Sequence, residues 1–318
     1  MISVFVLDIV TVALSNKYAA RYTVTAETFD GRFGDDKIHF LNTANSDAIL
    51  IESNGRFAVI DSGEGNSNPR RKNPYHGFEE YVINYLNGVA ADENGKVHLD
   101  FALGTHCHYD HIGCFDRIFT DSDITVGTVY LKKYDPSFGK EYEYERWRLG
   151  DVYEKIVEDA IDRGFKVVSD LPTEPFMFGD FKITFYNTVT PVSLKGRGEN
   201  AQSVGVKLEK GGKSAFLAAD ITSVSGSEQL VEDEVGDVDL LKIGHHGYYG
   251  SSSMRFLKKL KPEIAIVTNQ LGKIYPNVKW NLIMQAHASV YATYDNDGVT
   301  AYFTDDGKIM LTNHTSPA

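Results

Sequence analysis

The sequence predicts an α/β fold, one domain made of two β/α halves. Three observations carry this expectation. Short apolar runs bounded by turn residues alternate with stretches whose apolar residues recur at helical spacing. Ligand-competent polar residues stand directly after four of those runs, at Asp61, His106–His111, Asp220 and His245-His246. No low-complexity linker divides the 318 residues.

The N-terminal stretch Met1–Leu14 is apolar but too short to span a bilayer. It lacks a basic leading region and carries Asp8, so it is a poor secretory signal despite the cleavage-like Lys17-Tyr18-Ala19-Ala20. We read it as a strand or helix packed on the domain, and the location as cytoplasmic with secretion as the alternative. Residues 1–36 form an N-terminal extension and residues 37–318 the main domain. Lys37–Leu41 and Ser46–Ser53 read as strands, and Asn54-Gly55 as a two-residue hairpin turn into Arg56–Asp61. Phe78, Val82, Tyr85 and Leu86 mark a helix, and Leu99–Leu103 a buried strand running into Thr105–Gly113.

Ile124–Leu131 is the next strand. A long helix is expected from Tyr144 to Arg163, with Trp147, Val152, Ile156, Ala160 and Ile161 facing inward and Gly164 as its stop. Strands follow at Phe181–Tyr186, Ser203–Leu208 and Ser214–Ala219, the last two joined by Lys210-Gly211-Gly212-Lys213. Asp239–Ile243 is a buried strand, Ser251–Leu260 a capped helix and Glu263–Thr268 a strand. Trp280–Tyr294 reads as the last long helix, and a hairpin across Asp305-Asp306-Gly307 closes the chain.

Composition narrows the function. Hydrophobic residues make up 42% and charged residues 24%, ordinary for a globular protein. A formal net charge of −12 disfavours broad nucleic-acid binding. A nuclease with a local basic patch, or with metals offsetting the charge, stays compatible. The two cysteines, Cys107 and Cys114, make no disulfide framework. Cys107 reads as a bystander packed behind the neighbouring histidines, with a metal-ligand role as the alternative.

Within Thr105–Gly113, three histidines and an aspartate fall in six residues. Imidazole and carboxylate are the ligands that borderline divalent ions such as zinc prefer. His106 and His108 can aim at one ion from a single turn, and Asp110-His111 can serve a second. Asp220 can bridge two cations with its two oxygens. The glycines around His245-His246 allow a tight turn that brings a histidine to the same place.

His106-x-His108-x-Asp110-His111 after an apolar strand, with Asp61-Ser62-Gly63 before it and Asp220 after it, resembles the metallo-β-lactamase-fold superfamily. The likeness runs from Lys37 to Leu311. Glu199–Val204, Leu217–Asp220 and Leu241–Gly247 with its Gly-His-His-Gly element are similar to one branch of it. That branch holds the competence-protein ComEC C-terminal hydrolase domain and the pneumococcal phosphorylcholine esterase.

The resemblance implies a four-layer αββα sandwich with two Zn²⁺ at one edge, Mn²⁺ being the alternative occupant. It implies His106 and His108 on the first ion, Asp110, His111 and His246 on the second, and Asp220 between them. His245 and His246 are left open as ligand and substrate contact, with His246 favoured as ligand. Asp110, His245 and His246 are the catalytic candidates. Asp61 steadies the histidine loop by hydrogen bonds. No histidine occurs between His111 and His245, and Asn200 stands where many members supply a further ligand to the first ion.

The implied activity is that of a dinuclear metal-dependent hydrolase using a metal-bridging hydroxide. A phosphodiester is the expected substrate, small or surface-attached, with phosphocholine esters as the concrete case. Aromatic faces bind quaternary ammonium groups, and Tyr130, Tyr134, Tyr142, Tyr144 and Trp147 cluster after the histidine motif. Tyr134, Trp147, Tyr248 and Tyr249 are the candidate pocket residues. The competing expectation is that Tyr144 and Trp147 only pack the long helix. The alternative functions are hydrolysis of a lactone, thioester or β-lactam, and a non-catalytic metal-binding module.

Overall fold

The computed structural model describes residues 9–10, 13–14, 24–25, 36–72 and 74–313. Residues 9–10 and 13–14 are helical, and Leu14 packs on the outer core of the second half. The rest of Met1–Leu14 and the Lys17–Ala20 segment lie outside the described residues.

The first half runs β1 (Val24–Thr25), β2 (Lys37–Phe40), β3 (Ala48–Ser53), β4 (Arg56–Ser62), α1 (Glu79–Ala90), β5 (Val97–Gly104), α2 (Tyr109–Ile112), α3 (Phe115–Thr120) and β6 (Ile124–Leu131). Helices α4 (Glu141–Glu145) and α5 (Leu149–Asp162) lead to β7 (Lys166–Val168). The second half runs β8 (Phe176–Phe178), β9 (Phe181–Tyr186), β10 (Gly205–Lys210), β11 (Lys213–Leu217), α6 (Ser227–Val235), β12 (Leu240–Lys242), α7 (Met254–Leu260), β13 (Ile264–Val267), α8 (Pro276–Trp280) and β14 (Ser289–Ala292). The hairpin β15 (Val299–Phe303) and β16 (Ile309–Asn313) returns to the first sheet.

Two sheets result, ordered β1-β16-β15-β2-β3-β4-β5-β6-β7 and β14-β13-β12-β11-β10-β9-β8. Strand β3 shows why they stack. Ile49 and Ile51 point between the sheets, while Ala48 and Leu50 point to the helices on the outer face. That period of two buries both faces of one strand. Ile38, Phe101 and Leu103 meet Phe181, Val206 and Leu217 in the central layer. Leu86, Phe115 and Ile156 cover the first sheet, and Val231, Phe256 and Leu282 the second. The layers are therefore αββα, as expected.

Two expected helices differ. The Tyr144–Arg163 segment is two helices, because Arg148 takes a left-handed φ of 52° between them. Leu149, Ile156 and Ala160 form the buried stripe of α5. Ile161 is turned off that stripe by one residue and is 59% exposed. The Trp280–Tyr294 segment is helical only to Gln285, through a wide π-turn at Asn281–Gln285. Ser289–Ala292 then pairs in parallel with β13, since its Val-Tyr-Ala run completes the second sheet.

Parallel pairing sets the site. β4, β5 and β6 run parallel in one sheet, and β11, β12 and β13 run parallel in the other. Their carboxyl ends open on the same edge of the sandwich, where Asp61, His106–His111, Asp220, His245-His246 and Thr268 emerge.

Candidate metal centre and its cavity

Four histidines from two loops converge, and each is held by one ring nitrogen. His106 Nδ1 lies 3.1 Å from Thr105 Oγ1. His108 Nε2 lies 3.2 Å from Glu143 Oε1. His111 Nδ1 lies 2.7 Å from Asp61 Oδ2. His246 Nδ1 lies 3.1 Å from Thr268 Oγ1 and 3.3 Å from Asp47 Oδ1. Such outer partners set tautomer and ring orientation in metal-ligating histidines.

The remaining nitrogens face one another. His106 Nε2 is 3.1 Å from His108 Nδ1. His111 Nε2 and His246 Nε2 lie 3.2 Å and 3.4 Å from Asp220 Oδ1. His246 Nε2 is 3.5 Å from Asp110 Oδ2, and His106 Nε2 is 3.8 Å from Asp220 Oδ2. Asp110 Oδ1, His111 Nε2, Asp220 Oδ1 and His246 Nε2 are buried without a hydrogen-bond partner among the described residues. Buried polar atoms are normally satisfied. Four orphans aimed at one point, all of ligand type, fit a cation site.

Ligand atoms of His106, His111 and Asp220 lie within 4.8 Å of one another, as do those of Asp110, His111 and His246. His108 meets His106 but joins no three-ligand cluster among the described residues. The His106–His108 side is the one that the sequence marks as short of a ligand.

Strain shapes the second loop. His245 and His246 both have a φ of 49°, a left-handed conformation unusual outside glycine. A Cβ at Gly244 would lie 2.2 Å from the Ile221 carbonyl oxygen, so only glycine allows this approach. The turn sends His246 inward, fully buried, and leaves His245 31% exposed with Nδ1 unpartnered. Asp61 also takes a left-handed φ of 55°. It accepts hydrogen bonds from Thr105 N and Oγ1, both at 2.8 Å.

Burial favours neutral carboxyls, but the positive partners win at Asp47 and Asp220. Against that desolvation, Lys242 with His246 and His111 holds Asp47 below the usual carboxylate range. Against the same burial, His111 and His246 hold Asp220 well below it. Lys242 is fully buried and pairs with Asp47 while donating to the Ala219 carbonyl at 3.0 Å.

A cavity of about 170 Å³ opens over this cluster. His108, His245, Trp147, Tyr142, Arg197 and Asn200 line it, with Glu143 and a Thr222–Ser225 wall. Asn200 Oδ1 is buried and unpartnered. A larger cavity of 270 Å³ lies beside Tyr109, Asp116 and Lys155, but none of the candidate ligands lines it.

The structure separates the predicted aromatic residues. Trp147 lines the cavity, with its ring 5.6 Å from that of His108. Tyr134 instead lines a different depression with Lys132 and Gln202. Tyr130 points into the central layer against Phe101 and Phe185. Tyr248 packs edge-on to His245 at 5.6 Å, and Tyr249, 61% exposed, sits 5.9 Å from Tyr275. Neither lines the cavity. Cys107 is buried, its backbone N–H donates to Glu199 Oε1 at 3.0 Å, and burial pushes its thiol well up. It belongs to no ligand cluster among the described residues.

Sequence reasoning missed Asp47, Glu143, Lys242 and Thr268. One signal was present for Lys242, a charge inside the apolar run Leu240-Leu241-Lys242-Ile243. Nothing local marks Glu143 among the neighbouring acidic residues Glu141 and Glu145.

Residues 41–268 match the family described as the metallo-beta-lactamase superfamily. The chain belongs to this family. Members of the metallo-β-lactamase superfamily are mostly hydrolases, which supports an enzyme with a metal-dependent fold. ComE operon protein 3 of Bacillus subtilis is 23% identical over 278 residues, covering 84% of this chain and 33% of that protein. This agrees with the ComEC-type branch. Recombination protein 2 of Haemophilus influenzae is 27% identical over 105 residues, 33% of this chain and 12% of that protein. The chain thus spans a third or less of these relatives' length. Among solved structures, the metallo-beta-lactamase fold protein YhfI of Bacillus subtilis aligns with a TM-score of 0.49 at 14% identity, over 87% of this chain and all of that one. Zn(2+)-bound PqqB of Methylobacterium extorquens aligns with a TM-score of 0.46 at 14% identity, over 80% and 86%. Among the described residues no helix is long and apolar enough to cross a membrane.

Proposed function

We propose that residues 37–318 form a dinuclear metal-dependent phosphodiesterase. The observation that carries this reading is the convergence of Asp110 Oδ1, His111 Nε2, Asp220 Oδ1 and His246 Nε2, buried and unpartnered, beside His106 Nε2 and His108 Nδ1. His106 and His108 would hold one cation, Asp110, His111 and His246 the other, and Asp220 both. Bound there, zinc or manganese would supply Lewis acidity and a nucleophile at neutral pH.

The protein's own groups do the rest. Asp61, Glu143, Thr105 and Thr268 hold the imidazoles in their tautomers. Asp110, with its side chain 17% exposed, orients the attacking water through its carboxylate. His245, which lines the cavity with its side chain 31% exposed, would meet a phosphoryl oxygen or the leaving oxygen. Asn200 adds a hydrogen-bonding group on the cavity wall and Arg197 a positive charge, while the Thr222 and Ser225 hydroxyls bond each other. A guanidinium beside an amide suits the several anionic oxygens of a phosphodiester better than a single carbonyl.

The test is hydrolysis of bis-p-nitrophenyl phosphate, p-nitrophenyl phosphorylcholine and a chromogenic lactam, each with and without chelator. Chelator-sensitive turnover of the phosphodiesters is expected. Turnover of the lactam alone overturns the reading. The same assay run with metal analysis disposes of the non-catalytic alternative.

A further inference from the structure

Two arginines, Arg197 on the cavity wall and Arg70 packed on the lining residue Trp147, bear on what the substrate carries beyond its scissile group. The Arg70 guanidinium carbon lies 4.1 Å from the centre of the Trp147 ring. The Tyr142 and His108 rings meet Trp147 edge-on at 4.8 Å and 5.6 Å. One face of the indole expected to receive a quaternary ammonium group is therefore already covered by a cation. Arg197 lines the cavity directly. Neither Arg70 nor Arg197 has an ion-pair partner among the described residues, although acidic residues outnumber basic ones by 44 to 32. The neighbouring cations differ. Arg71 is paired with Glu64 and Lys195 with Asp135. The cavity's own buried carboxylate, Glu143, is engaged by His108 and by Glu199 N.

A guanidinium stacked on an aromatic ring uses its face and keeps its in-plane N–H fork free, which suits bidentate capture of a carboxylate or phosphate. We propose that Arg70 and Arg197 form an anion subsite, and that the substrate is a phosphodiester whose cavity-side substituent carries its own negative charge, a phosphate or a carboxylate. A trimethylammonium substituent would meet two like charges there. This inference rests on the phosphodiester reading for the scissile group alone.

The test uses three p-nitrophenyl phosphodiesters that differ in one substituent: ethyl, 2-carboxyethyl and choline. With the metal-loaded protein at low salt, kcat/KM is expected to rank carboxyethyl above ethyl above choline, with steps of about tenfold. The ranking should collapse in Arg70→Gln/Arg197→Gln and largely survive in Arg197→Lys. In parallel, calorimetry with inorganic pyrophosphate on chelator-treated protein should show about tenfold weaker binding in the double variant. A choline ester as the best substrate, or a ranking and pyrophosphate affinity unchanged in the double variant, overturns the subsite. If none of the esters turns over but pyrophosphate binding still depends on both arginines, the phosphodiester reading fails and the subsite stands.

Discussion

Glu143 Oε1 lies 3.2 Å from His108 Nε2, on the far side of the imidazole from His106. Its other oxygen accepts from Lys140 N and from Glu199 N, the latter at 3.1 Å. One carboxylate thus ties the α4 insertion and the Asn200 turn to the histidine with the fewest neighbours of ligand type. Glu143→Ala is expected to lower kcat/KM and metal affinity about 10- to 100-fold. Glu143→Gln keeps an acceptor for His108 and should lose less. Steady-state kinetics with metal quantification by mass spectrometry measures both.

Asp220 is the carboxylate nearest His106, His111 and His246 together. Asp220→Asn should retain the fold, bind fewer metal ions per chain and lose at least about 100-fold in activity. A variant with full metal content and full activity would remove Asp220 from the bridging position.

Lys242 and Asp47 form a fully buried pair between the sheets. Removing one partner leaves an uncompensated charge, so Lys242→Met should destabilise by about 3–5 kcal/mol in urea unfolding. Adding Asp47→Asn should recover part of that loss, since no unpaired charge then remains. An additive double variant contradicts the pairing.

Burial, with Glu232 one turn away, raises the Glu228 carboxyl from 4.5 to about 7. Glu228 is fully buried and takes hydrogen bonds from Ser253 N at 3.2 Å and 3.3 Å, while Arg255 pairs with Glu232. A raised carboxyl pKa contributes stability that is complete below about 4.5 and is lost as pH rises through about 7. The lost contribution is of order 3 kcal/mol. Glu228→Gln should flatten that slope, so its stability relative to the parent should improve between pH 5 and about 8. Urea midpoints across this range provide the measurement.

Chelation should lower the thermal midpoint, and added zinc or manganese should restore it. A ligand at about 1,000 times its Kd stabilises by about 4 kcal/mol. A midpoint indifferent to chelator and to added metal would count against the cation site.

Much of the architecture was legible along the chain. Alternation in Ile49–Ile51, the Asn54-Gly55 turn and the apolar run before Thr105 are local signals, and each encodes which face is buried. The helix predictions failed where local spacing competes with tertiary demands. Arg148 breaks one helix so that Trp147 can close the cavity, and Ser289–Ala292 is drawn into the second sheet.

The sequence by itself determined an α/β fold of two halves and placed His106–His111, Asp220 and His245-His246 at strand ends, because such patterns repeat within a few residues; the αββα layering followed from the family resemblance. Only the tertiary structure decided which nitrogen each imidazole presents, and that His246 turns inward while His245 faces the cavity. It alone paired Lys242 with Asp47 across 195 residues and laid Arg70 on Trp147. Those relationships arise where two sheets and an insertion meet. Their energies depend on burial and on partners distant in sequence, neither of which local periodicity records.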